Sequence, residues 1–86
     1  MRLKKDYITQ TIDDTQFLVP LGGESFRGIV RSNRSAAFIV DCLKEETTAE
    51  AIVETMFQRF DAPREIIAAD VEKVLNTLRE IGALEE

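Results

Sequence analysis

The sequence predicts an α+β domain in which a three-stranded antiparallel β-meander is followed by three α-helices. Three observations predict it. The texture changes near Asn33, from runs rich in Thr, Ile and Phe to longer stretches with apolar residues at helical spacing. The separators in the first part are short and turn-like, which suits hairpins rather than crossovers. The apolar content of 44% and charged content of 31% are those of a globular chain. At 86 residues the expectation is one domain spanning 1–86.

The strands come first. Tyr7–Ile12, Gln16–Leu21 and Phe26–Arg31 are the three runs. Asp13–Asp14–Thr15 and Gly22–Gly23–Glu24–Ser25 supply the turns between them. Pro20 has no amide proton, so it belongs at a strand end or on an unpaired side. In the third strand Phe26, Gly28 and Val30 share one face, and Arg27, Ile29 and Arg31 share the other. The pattern alone leaves open which face is inward, with Val30 before Ser32 tilting toward the first set.

The helices follow. The first runs from about Arg34 to Lys44, capped by Asn33 or Ser32, with Phe38, Ile39, Cys42 and Leu43 as its apolar stripe. The second runs from about Ala49 to Phe60. Thr47 and Glu50 have capping-box spacing, Thr48 competes as the cap, and Ile52, Val53, Met56, Phe57 and Phe60 form the stripe. The third runs from about Arg64 to Ile81, with Asp61 as cap and Pro63 in its first turn. Its broad stripe comprises Ile66, Ile67, Val71, Val74, Leu75, Leu78 and Ile81, and Gly82 ends it in the left-handed region. That stripe is wide enough to serve both a core and a partner groove.

Composition excludes most chemistry. Histidine is absent, which removes the commonest general base and metal ligand, and with one cysteine a zinc site would need carboxylates almost alone, which is rare. Cys42 lies within the first helix's apolar stripe and reads as a small buried hydrophobe. Asp70 and Glu72 fall on different sides of their helix, and Glu45–Glu46 fall in a loop, so all four read as solvated charges. Gly22–Gly23 lacks the spacing and Lys of a phosphate loop, and no Asp-Ser-Leu triplet marks an acyl carrier. No catalytic residue and no cofactor are expected. A basic start without an apolar signal core, and the lone cysteine, point to the cytoplasm and away from membranes.

The net charge of −5 is unevenly placed. Residues 1–34 carry six basic and four acidic side chains, whereas residues 35–86 carry five and twelve. Strands with three helices suggest a winged helix, and the alternative function is a winged-helix DNA-binding regulator. The second helix, however, has Arg59 against Glu50 and Glu54, and the third is acidic overall, so neither offers a basic recognition face. Nucleic acid is not an expected partner.

The run VRSNRSAAFIVDCLKEETTAEAIVETMFQRF, from Val30 to Phe60, resembles the core of the PqqD-like family of RiPP recognition elements, which act on ribosomally made and modified peptides. Asn33, Ser35, Ala36, Ala37, Thr48, Glu50, Ile52 and Gly82 fit its pattern, and Asp70–Val71 resembles its last helix. Ser32 replaces the usual apolar residue before the Asn, Glu45 the usual turn Gly, and Ala51 a common acidic residue. The resemblance implies a winged-helix-like, non-catalytic peptide chaperone. It would bind the leader segment of a precursor peptide as an added strand and present the peptide to a modifying enzyme, often a radical S-adenosylmethionine enzyme. Carried onto this chain, Arg27, Gly28, Ile29, Val30 and Arg31 would offer the strand edge. Gly28 would allow close approach, and Arg27 and Arg31 would meet leader carboxylates. Val71, Val74, Leu75 and Leu78 would be apolar groove candidates, with Asp70 or Lys73 at the rim. Some of those four must be core, and the pattern does not sort them. An open strand edge also allows a homodimer.

Overall fold

A computed structural model describes residues 1–21 and 30–86, with Val30 described at its backbone only. The chain runs β1 (Arg2–Leu3), β2 (Tyr7–Ile12), β3 (Thr15–Pro20), β4 (Val30–Ser32), α1 (Arg34–Cys42), α2 (Ala49–Arg59), α3 (Arg64–Glu80) and β5 (Leu84–Glu85). The meander is antiparallel in the order β2-β3-β4, and the expected fold class holds. Its first turn is a two-residue loop, because Ile12 pairs with Thr15. Asp13 and Asp14 both take positive φ, 50° and 65°. That primed turn follows the twist of the strands, and Asp tolerates it better than most side chains. Pro20 ends β3 opposite Tyr7, where a missing donor is tolerated.

The expected turn at residues 22–25 and the first part of the third strand lie outside the described residues. The described part of that strand, β4, pairs Phe17 with Arg31 and Gln16 with Ser32. Arg31 is exposed and Ser32 is buried. At this end of the strand the face that carries Ser32 therefore points inward, and the face that carries Arg31 points outward.

Two elements were not anticipated. β1 pairs with β5 in a separate two-stranded sheet, Leu3 opposite Leu84. The Leu3 N–H donates to the Leu43 carbonyl at 2.8 Å, so this small sheet is tied to the end of α1. Each strand is two residues long, too short to show alternation. Gly82, at φ 74°, turns the chain out of α3 so that Ala83 and Leu84 reach the core.

The capping expectations are partly corrected. Asn33 caps α1, accepting from the Ala36 N–H at 2.8 Å. Thr48 caps α2 through the Ala51 N–H at 3.1 Å, and the Thr47–Glu50 capping box does not form. Thr47 instead exchanges backbone bonds with Met1, which holds it outside the helix. Asp61 caps nothing: Pro63 occupies the N-cap position of α3, in extended backbone and without a side-chain bond.

The core is built from Leu18 of the meander, Ile39, Val40 and Leu43 of α1, Ile52 and Met56 of α2, and Ile67, Val71, Leu75 and Leu78 of α3, closed by the terminal sheet. Two stripe assignments are corrected. Phe57 is 42% exposed, and its ring is covered by the Arg64 guanidinium at 4.6 Å. Glu54 holds that guanidinium in place at 2.8 Å. Ile66 is 55% exposed at the margin of the α3 stripe. Phe38 meets Phe60 edge to face at 5.4 Å and closes the α1–α2 corner.

Candidate functional site: a groove between the β4 margin and α3

β4 and β2 are the two margins of the meander. Among the described residues no strand pairs with the outer edge of either. Beside β4 lies a groove of about 260 Å³. Arg31 and Ser32 form its strand wall, the start of α1 closes one side, and α3 forms the other wall.

Each wall follows from local chemistry. α1 begins with Asn33 as cap, followed by Ser35 and Ala36, which line the groove. Small side chains at that first turn keep the space open. Leu18, Val40 and Leu78 form its apolar floor. α3 presents Asp70, Lys73, Val74 and Thr77. Positions three and four apart lie on one helix face, so these four form a single ridge. Exposed Ile66 extends that ridge one turn toward the helix start, four residues before Asp70.

The structure sorts the sequence candidates. Arg31, Asp70, Lys73 and Val74 face the groove, and Leu78 lies beneath it. Val71 and Leu75 are corrected: they are 1% and 0% exposed, packed into the core on the helix face turned away from the groove. The backbone of Val30 belongs to β4. Arg27, Gly28 and Ile29 lie outside the described residues. Leu18, Ser35, Ala36, Val40 and Thr77 were not anticipated. For Ser35 and Ala36 the signal was present in the Ser-Ala-Ala start of the helix, which marks small residues beside a space.

The groove is polar at its rim and apolar at its base. Arg31, Asp70 and Lys73 all line it, and none joins an ion pair among the described residues. The rim therefore carries two cations and one anion, inside a chain of net charge −5. Cys42 is half-buried and does not line the groove. Burial, and then Asp41, push its thiol above the usual range, with Arg59 opposing, so it stays protonated near neutrality. Among the described residues no group of three or more potential metal ligands gathers. No described helix is long and apolar enough to cross a membrane.

A short meander whose margins are unpaired among the described residues, set beside a groove against the last of three helices, defines a small winged-helix-like α+β domain. This chain belongs to the PqqD family, whose model, described as coenzyme PQQ synthesis protein D, matches residues 17–84. Two solved structures share the fold. TbiB1 in complex with the TbiA(beta) leader peptide aligns over 99% of this chain and 95% of its own, with a TM-score of 0.82 and 21% identity. Lasso peptide synthetase B1 complexed with the leader peptide aligns over 99% and 96%, with a TM-score of 0.79 and 18% identity. No curated protein sequence matches the chain.

Proposed function

We propose that this protein binds the leader segment of a ribosomally made precursor peptide as an added strand on β4 and presents the peptide to a modifying enzyme, without catalysing a reaction itself. The observation that carries this reading is the β4 margin, unpaired among the described residues, beside a groove that α3 walls. An extended peptide laid there bonds to the backbone of β4, which gives affinity without regard to sequence. Alternate side chains then enter the groove over Leu18, Val40 and Leu78 or meet its rim. Family membership and the two leader-bound structures of the same fold support it.

The rim also narrows the guest. Arg31 and Lys73 favour leader carboxylates, and Asp70 favours one basic residue or a backbone N–H. Radical S-adenosylmethionine chemistry for the receiving enzyme rests on the family resemblance alone. On this reading the protein works in the cytoplasm, as one peptide-binding unit spanning 1–86.

The test is a titration of the isotope-labelled protein with precursor peptides encoded near its gene. Micromolar binding with shifts at the Val30–Ser32 and Asp70–Thr77 amides is the expected result. Binding that spares those amides, or no binding by any such precursor, refutes the reading.

A further inference from the structure

The other margin of the meander has its own chemistry. β2 reads Tyr-Ile-Thr-Gln-Thr-Ile: six residues with no charge and no proline. Open edges are ordinarily guarded by such residues, because a bare row of backbone donors and acceptors pairs with any second strand. Ile8 and Ile12 are 40% and 56% exposed. They share the face that also carries Val19 and Phe17 of β3, since Ile8 pairs with Val19 and Gln10 with Phe17. The edge thus joins unpaired backbone to an exposed apolar strip.

The charges stand at its ends. Lys4, Lys5 and Asp6 precede β2, and Asp13 and Asp14 follow it. None of the five has an ion-pair partner among the described residues. An antiparallel pairing of β2 with its own copy about a two-fold through Thr9 sets Lys5 opposite Asp13 and Lys4 opposite Asp14, twice, with Asp6 opposite Ile12 rather than an acidic residue. It also sets Ile8 of one copy diagonal to Ile12 of the other on one face. The strand is complementary to itself in backbone, apolar surface and charge.

We propose that β2 is a self-association edge, through which two copies join their meanders into one six-stranded sheet. The order is β4-β3-β2 followed by β2-β3-β4 of the second copy. Both β4 margins stay at the outside, so each copy keeps its groove. The contact is one strand wide, so it is weak and concentration-dependent. This inference does not depend on peptide binding, and its test needs no peptide.

Sedimentation equilibrium across a concentration series, with matching amide spectra, tests it. The mass should rise toward twice that of the monomer, with shifts at Ile8–Ile12 and none at Val30–Ser32. Added salt should weaken association, because two lysine–aspartate clusters are screened. Ile12→Glu sets a like charge opposite Asp6 of the second copy and should abolish association while keeping the folded far-UV spectrum. Asp13→Asn with Asp14→Asn, which keeps side chains that tolerate positive φ, should weaken it. A chain that stays monomeric to about 1 mM overturns the proposal. So does a dimer that survives Ile12→Glu, or one whose shifts fall on β4. Failure of every peptide titration would refute the function proposed above and leave this result standing.

Discussion

Lys73 and Leu75 are two residues apart on α3 and have opposite fates: one lines an open groove, the other is wholly buried. Helical periodicity showed a broad apolar stripe but not where core ends and groove begins. That boundary depends on which neighbour covers each residue, which one helix's sequence does not contain. At this scale two predictions follow from the groove and its surroundings. Lys73→Glu should weaken an acidic leader roughly fivefold, the scale of one exposed charge pair. A peptide with that acid replaced by Gln should be nearly indifferent, and the pair of titrations measures the coupling. Equal losses for both peptides would mean that Lys73 reads no charge. Cys42 supplies a negative control. Its raised thiol should react with iodoacetamide more slowly than free cysteine at neutral pH, and faster as pH climbs toward its pKa. Cys42→Ala should leave leader affinity unchanged in the same titration, because the thiol does not line the groove.

At the scale of the element, β2, α1, α2 and α3 were legible because each carries a period and a boundary signal. β2 has the expected bounds, and each helix has the expected start. β1 and β5 were not legible, since a two-residue strand is made by its partner rather than by its own pattern. The choice of Thr48 over Thr47 was likewise settled by a distant contact, the backbone bonds of Thr47 to Met1. β4 gives a test that distinguishes edge from interior. Successive residues of a strand send their N–H groups to opposite sides. Of Val30→Pro and Arg31→Pro, one removes a bond to β3 and should lower stability. The other removes an edge donor and should reduce leader binding while the protein stays folded. Calorimetry and peptide titration separate the two. If the variant that keeps the parent's melting temperature also keeps its affinity, strand addition on β4 is wrong. Leu18 matters for the same element. It is the only wholly buried side chain that the described meander gives the core. Leu18→Ala should cost about 2–5 kcal/mol, read from denaturant unfolding, and should loosen the sheet from the helices.

At the scale of the whole molecule, charge separates a peptide carrier from a DNA-binding winged helix of similar outline. Residues 35–86, which hold all three helices except the first residue of α1, carry twelve acidic side chains against five basic ones. α3 itself offers Arg64, Lys73 and Arg79. Arg64 is held by Glu54, and Arg79 is bonded to Glu86 at 2.9 Å and stands 3.8 Å from Glu72. Lys73 is then the cation of that helix without an ion-pair partner among the described residues, and it lies in the groove. Duplex binding rests on several cations displacing counterions together, and a single one within a net negative field supplies little. The protein should therefore leave labelled duplex unshifted in a gel at 50 mM salt and tens of micromolar protein, whatever the duplex sequence. An acidic leader peptide should bind under the same conditions. Because Arg31 and Lys73 act at short range in the groove while the helical surface repels at long range, added salt should change leader affinity only modestly. Peptide affinity that collapsed with salt, together with a salt-sensitive duplex shift, would mean that the basic residues act as a phosphate-binding patch and that the carrier reading has the wrong guest.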